Sequence, residues 1–215
     1  MTTRQQLMDI YERLFDAFGP QHWWPGRTRF EIIVGAILTQ NTSWTNVARA
    51  IANLQAAGCL EPDRLHALDA TELEPLIRPA GYFRLKAKRL GNFTQWLFDE
   101  YGGALDALEA VETRRLREEL LGISGIGPET ADDILLYACG KLVFVVDAYT
   151  RRIFSRHGLC PPDIDYRGLQ ALFEAHLPRD PHIYGEYHGL IVFAGKDFCR
   201  RTPKCAACPL GPLLD

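Results

Sequence analysis

At 215 residues the chain can form one medium domain or two small ones sharing a core, and a hydrophobic share of 47% is enough to fill it. A formal charge of −3 excludes a generally basic coat for nucleic acid, although an enzyme with a local basic face remains compatible with it. The opening MTTRQQLMDIYERLF is amphipathic and carries acids, and no apolar run approaches ~20 residues, so neither a secretory signal nor a membrane span is expected and the chain reads as cytoplasmic. Its six cysteines then read as thiols or metal ligands rather than disulfides.

Along the chain the period is helical almost throughout. QQLMDIYERLFDAF sets Leu7, Ile10, Leu14 and Phe15 on one stripe, and RFEIIVGAILTQ is apolar nearly all round, as a central buried helix should be. TNVARAIANLQAAG closes on Gly58, a C′ glycine, and YFRLKAKRLGNFTQWLFDEYGG ends on paired glycines. TRRLREELLGI, PETADDILLYACG, AYTRRIFSRHG and YRGLQALFEAHL follow, with a last helix from about 183 to 198. Only LVFVV, at 142–146, reads as extended, and no second strand is in view to pair with it. Short helices punctuated by Gly and Pro, with no repeat and no long linker, predict an all-α fold with abrupt turns.

Several local patterns carry chemistry. In ISGIGPETA, Gly125 and Gly127 flank Ile126, which plugs the turn into the core while the glycines allow positive φ and close approach of another backbone. Pro128 suits the first turn of the next helix. The N–H groups around Gly125, Gly127 and Glu129 then point outward at the positive end of a helix dipole, an anion site that a DNA phosphate fits; a plain helix–helix turn is the alternative. Asp147 ends the apolar run and begins AYTRR, the position of a helix N-cap with Thr150 three residues on. Trp23, Trp24 and Trp44, three of the chain's four tryptophans, fall within its first 44 residues and suggest an aromatic surface, with core packing as the competing use.

This order of motifs resembles the endonuclease III superfamily of helix-hairpin-helix DNA glycosylases. The resemblance runs through AILTQNT, GYFRLKAKRL, the hairpin, VVDAY and the C-terminal cysteines. HWWPGRTRFEIIVGAILTQNTSW and GIGPETADDILLYA are most similar to the endonuclease-III-like 3-methyladenine DNA glycosylases. It implies an all-α, two-lobed fold: residues 22–135 form a helical barrel lobe carrying the hairpin at about 113–139, and residues 1–21 with 136–215 form the second lobe. DNA would lie in the groove between them.

The resemblance makes Asp147 the catalytic carboxylate. Breaking a deoxyribose–base bond builds positive charge on the sugar, which a fixed anion stabilises while it orients or deprotonates the attacking water. Superfamily members that also cut the strand carry a lysine two residues after the second hairpin glycine. Here that residue is Glu129, which cannot form a Schiff base, so a monofunctional glycosylase is expected. Lys141, past the helix end, reads as solvent-facing. The flipped base needs a pocket, for which the tryptophans are candidate walls; indole faces attract a cationic alkylated purine by ~0.5–2 kcal/mol. Gln40 and Asn41 resemble the wedge that fills the vacated stack. Arg151 and Arg152 are candidate phosphate contacts. Arg84, Lys86, Lys88 and Arg89 are further candidates, at least two of them solvated, and His188 reads as structural.

CRRTPKCAACPLGPLLD resembles the superfamily's [4Fe–4S] loop but supplies only Cys199, Cys205 and Cys208; the first spacing is one residue short, and no cysteine follows. Three readings stay open: a degenerate loop without metal, a cluster with an unusual fourth ligand, or a zinc site. Arg200, Arg201 and Lys204 beside it suit DNA contact. The expected partner is double-stranded DNA bearing a damaged base, bound by a monomer. The rival functions are an endonuclease III-type glycosylase with lyase activity, a mismatch glycosylase, and a non-catalytic DNA-binding module.

Overall fold

The computed structural model describes residues 1–214, and it is all-helical. In chain order the helices are α1 (Thr3–Phe18), α2 (Arg29–Leu38), α3 (Trp44–Ala56), α4 (Pro62–His66), α5 (Ala70–Ile77), α6 (Phe83–Tyr101), α7 (Ala107–Ala110), α8 (Thr113–Gly122), α9 (Pro128–Asp133), α10 (Ala148–Arg156), α11 (Tyr166–His176) and α12 (Pro181–Asp197). A π turn, Ile134–Ala138, prolongs α9. The chain divides into two compact units, Met1–Trp24 with Leu142–Asp215, and Pro25–Lys141.

The unit Pro25–Lys141 is built around α2, whose Phe30, Ile33, Val34, Ile37 and Leu38 are all buried, in keeping with its all-round apolar sequence. Thr28 begins α2 by accepting the Glu31 N–H at 3.1 Å. Around α2 pack α3, α6 and the turn that prolongs α9. The end of α2 is closed from outside the helix. Lys86, from the stretch that reads as a basic face, is only 1% exposed, and its Nζ donates to the carbonyls of Leu38 at 2.9 Å and Ala80 at 2.8 Å. Burial, reinforced by Arg89, lowers its pKa to about 8. Lys86 therefore serves the fold and cannot meet phosphate, whereas Arg84 and Lys88 are exposed. Lys141 also corrects its sequence reading: rather than facing solvent, Nζ donates to the carbonyls of Glu109 at 2.6 Å and Val111 at 2.7 Å, closing the end of α7.

In the other unit, α12 packs against α1 and α10, and α1 against α11. Phe144, Phe154 and Phe173 form its centre; Phe144 stacks on Phe173 at 4.1 Å and Phe154 meets Phe173 edge-on at 4.7 Å. Tyr187, fully buried, donates its hydroxyl to the Leu7 carbonyl at 2.7 Å. The run 142–146 forms no strand, and its residues Val143, Phe144, Val145 and Val146 are buried. Side chains of α11 do what a neighbouring strand would: Glu174 accepts the Phe144 N–H at 2.9 Å and Gln170 donates to the Phe144 carbonyl at 2.8 Å. That is how a lone β-like sequence can sit inside a helical protein.

Candidate active site and nucleic-acid interface

The hairpin joins α8 to α9. Ile126 is 5% exposed, and its N–H closes the turn onto the Ile123 carbonyl at 3.0 Å. Gly125 has φ +99, and a Cβ there would lie 2.4 Å from Arg89 Cγ, so both conformation and space demand glycine. Gly127 differs from the sequence expectation. Its φ of −96 is open to any residue, and a Cβ would meet nothing within 4 Å. It is the N-cap of α9 and, lacking a side chain, makes no side-chain cap.

The loop is braced from behind. Gln40 Nε2 donates to the Gly125 carbonyl at 3.1 Å and to Thr130 Oγ1 at 2.9 Å, while Arg89 donates to Gln40 Oε1. Asn92 holds the Ser124 carbonyl at 2.8 Å. Across the hairpin, Arg117 makes a two-pronged pair with the fully buried Asp132, at 2.6 and 3.0 Å. Gln40 is thus tied to the hairpin, and Asn41 beside it is exposed with φ 56. Trp44, in the same unit, opens α3 half-buried. Glu129 sits in the first turn of α9, exposed.

In the other unit, Asp147 caps α10 with a reciprocal capping box. Oδ1 accepts from the Thr150 N–H at 2.7 Å and the Thr150 hydroxyl at 2.8 Å, so both bonds fall on one oxygen. Oδ2 points toward His188 Nε2 at 3.9 Å, beyond hydrogen-bonding reach, and the Asp147 side chain is 9% exposed. Burial pushes the His188 pKa down against the opposing pull of Asp147. The sequence marked His188 only as structural, because nothing in EYHGL shows that α12 turns this face toward the N-cap of α10.

Trp23 lies across the same helix: a Cβ on Gly189 would come within 2.8 Å of Trp23 Cβ. Glu186, also on α12, accepts the N–H groups of Gln21 and His22 and so anchors the segment leading to Trp23. Trp24 is buried and edge-on to Trp23 at 5.8 Å. The two arginines after Asp147 part company. Arg151 is exposed, whereas Arg152 donates to the carbonyls of Cys199 at 2.6 Å and Gly195 at 3.1 Å and lies 4.9 Å over the Tyr149 ring.

Cys199, Cys205 and Cys208 line one small cavity at the end of α10, together with Arg156 and His157. Burial raises the Cys208 thiol, with the Cys199 and Cys205 thiols adding to the effect. Among the described residues no three His, Cys, Asp or Glu side chains are drawn close enough to share a single metal ion. Three sulfurs and an imidazole around one cavity are nonetheless a donor set that suits an iron–sulfur cluster. Arg200, Arg201 and Lys204, on the loop between the cysteines, are exposed.

A braced hairpin leading into a helix, with a capped carboxylate further along the chain, is the arrangement of the helix-hairpin-helix DNA glycosylases. Residues 34–179 match the family described as HhH-GPD superfamily base excision DNA repair protein. The chain belongs to that superfamily and is a DNA glycosylase of it. It is 49% identical over 207 residues, covering 96% of this chain and 94% of the other, to a protein of Methanocaldococcus jannaschii named among the DNA repair glycosylases. Endonuclease III of Sulfolobus acidocaldarius is 29% identical over 187 residues, 85% of this chain and 81% of that protein. The solved 3-methyladenine DNA glycosylase of H. pylori bound to 1,N6-ethenoadenine shares the fold at a TM-score of 0.77 and 29% identity, covering 91% of this chain and 98% of that one. A trapped endonuclease III–DNA covalent intermediate matches at TM-score 0.80 and 25% identity, over 98% of this chain and 94% of that one. That DNA complex supports DNA as the partner, and no helix of the described residues is long and apolar enough to cross a membrane.

Proposed function

We propose that this glycosylase is monofunctional and hydrolyses the N-glycosidic bond of an alkylated purine such as 3-methyladenine. The observation that carries the reading is the geometry of Asp147. One carboxylate oxygen is fixed by Thr150, and the other, 3.9 Å from His188 Nε2, is the one we assign to the reacting sugar and its water. As the base departs, the deoxyribose gains positive charge that the carboxylate stabilises, and the same group takes up a proton from the attacking water.

The remaining roles fit around this step. The start of α9 at Gly125 and Gly127 receives a phosphate of the lesion strand, with Glu129 in the same turn and Arg151 as a second contact. Arg152, which donates to the carbonyls of Cys199 and Gly195, is engaged within the protein. Asn41 and Gln40 supply the wedge, Gln40 after releasing its bonds to Gly125 and Thr130. Trp23, Trp24 and Trp44 provide aromatic surface for the base, with Trp23 best placed through its seat on α12 next to His188. A base that is already cationic leaves without a general acid, and the H. pylori relative bound to an ethenoadenine supports a modified purine. Glu129 removes the amine that a lyase needs. The enzyme acts as a monomer.

A second reading, a deaminated or mismatched pyrimidine, is favoured by 26% identity over 213 residues to a thymine/uracil-DNA glycosylase of Pyrobaculum aerophilum, 95% of this chain and 88% of that one. One experiment separates the two: incubate the protein with duplexes bearing single 3-methyladenine, ethenoadenine, uracil or thymine-mismatch lesions, then treat with hot alkali. Release of alkylated purines with strand breaks only after alkali is expected. Preferential release of uracil or thymine overturns the substrate, and breaks before alkali with a borohydride-trapped adduct overturn the monofunctional reading.

A further inference from the structure

The cavity beneath α10 holds a group that base excision does not use. Cys199, Cys205 and Cys208 line it, one donor short of the four ligands that an iron–sulfur cluster takes from protein. Residues 209–215 contain no cysteine, Cys160 is not part of the lining, and Cys139 belongs to the other unit. His157 does line it. Its Nδ1 is buried with no hydrogen-bond partner, while the ring makes its one backbone hydrogen bond to Leu213.

An imidazole held through one nitrogen presents a lone pair at the other. This is the orientation in which protein imidazoles bind metal, the second nitrogen being fixed by a backbone or carboxylate acceptor. A buried polar atom left without any partner costs about 1–3 kcal/mol, which a ligand in the cavity would remove. The surrounding loop is also held in place: Arg156 donates to Cys199 Sγ at 3.1 Å and to the carbonyls of Arg200 at 2.7 Å and Arg201 at 3.2 Å. The loop that carries the first two cysteines is therefore pinned to the helix end that carries His157.

We infer that His157, through Nδ1, is the fourth protein ligand of a [4Fe–4S] cluster anchored by Cys199, Cys205 and Cys208. A cluster and a single zinc ion ask different things of these donors. A tetrahedral zinc site draws its four donors within about 2.0–2.3 Å of one centre, and no three donors here are so gathered. In a cluster each donor binds its own iron, so the donors stand further apart.

The test uses the full chain, purified and reconstituted without oxygen with ferrous iron and sulfide, in wild-type, His157→Cys and His157→Ala forms. About four irons and about four sulfides per wild-type chain are expected, with a broad band near 400 nm. After reduction, pulsed paramagnetic resonance on protein labelled with 15N-histidine should show a directly bonded nitrogen. His157→Cys should keep the iron count and lose that nitrogen coupling, and His157→Ala should fall to about three irons. A wild-type cluster with no histidine coupling, a coupling that survives in His157→Cys, stoichiometric zinc instead of iron, or no metal uptake at all would each overturn the assignment. Because His157→Cys replaces one ligand by another, it decides the matter even where His157→Ala does not fold.

Discussion

Asp147→Asn separates capping from catalysis. The substitution keeps an oxygen where Oδ1 now accepts the Thr150 N–H at 2.7 Å and the Thr150 hydroxyl at 2.8 Å, so the capping box survives. Loss of the cap itself would cost about 1 kcal/mol, and retaining its geometry keeps the cost below that. What disappears is the charge. A carboxylate about 4 Å from a cationic sugar, at an effective dielectric constant of about 20, stabilises it by roughly 4 kcal/mol, or about a thousandfold in rate. Single-turnover excision from an ethenoadenine or 3-methyladenine duplex, quantified after alkali cleavage, reads that factor, and a thermal melt on the same sample reads the fold. We expect the rate to fall by about three orders of magnitude with a melting point within a few degrees of wild type. A rate within tenfold of wild type at an unchanged melting point would make Asp147 a cap and nothing more.

Three further changes probe the scaffold. Asp132→Ala removes the two-pronged acceptor of the Arg117 guanidinium, 17% exposed, across the hairpin, and chemical denaturation should show a loss of about 3–5 kcal/mol; a loss under about 1 would remove this pair from the hairpin's support. Gly125→Ala faces both a φ of +99 and the Arg89 side chain 2.4 Å away, so it should destabilise by about 1–3 kcal/mol and weaken duplex binding, whereas Gly127→Ala should leave stability nearly untouched. Lys86 carries a pH signature: its pKa is about 8 folded against 10.5 unfolded, so the unfolded chain binds more protons between these values and stability rises with pH across that window. Relative to Lys86→Met, wild type should gain about 2–3 kcal/mol between pH 7 and pH 10, and a flat difference would mean that the lysine titrates normally.

How far the sequence could be read depended on whether a residue's partner lay nearby. The all-round apolar α2, the capping box of Asp147 with Thr150, and the plug at Ile126 are local patterns, and each can be read within a few residues. Distant partners could not be. Lys86 and Lys141 carry charges that a linear pattern places in solvent, yet both terminate helices elsewhere in the fold. The run at 142–146 carries strand chemistry but is satisfied by side chains of α11. His188 and His157 are ordinary letters in EYHGL and FSRHG; only the folding of α12 against α10, and of the C-terminal loop against the end of α10, gives them neighbours.

That same consumption of charge bears on how a chain of net charge −3 holds a polyanion. Lys86, Arg89, Arg117, Lys141, Arg152 and Arg156 donate to acceptors within the protein. Arg84 and Arg200, though exposed, face Glu74 at 3.7 Å and Asp197 at 4.0 Å. Lys88, Arg151, Arg201 and Lys204 are exposed and form no ion pair among the described residues. If these four cations supply the charge neutralisation and the hairpin contributes backbone N–H groups, few counterions leave the duplex on binding. The slope of log affinity against log salt should then be no steeper than about −4, at roughly −0.9 per neutralised phosphate. Titrating lesion-free duplex from low to moderate salt measures it, and the Arg151→Ala variant should make the slope shallower by about one. A slope steeper than about −6 would show that cations beyond these four bind DNA, and the division of labour between backbone and side-chain charge would fail.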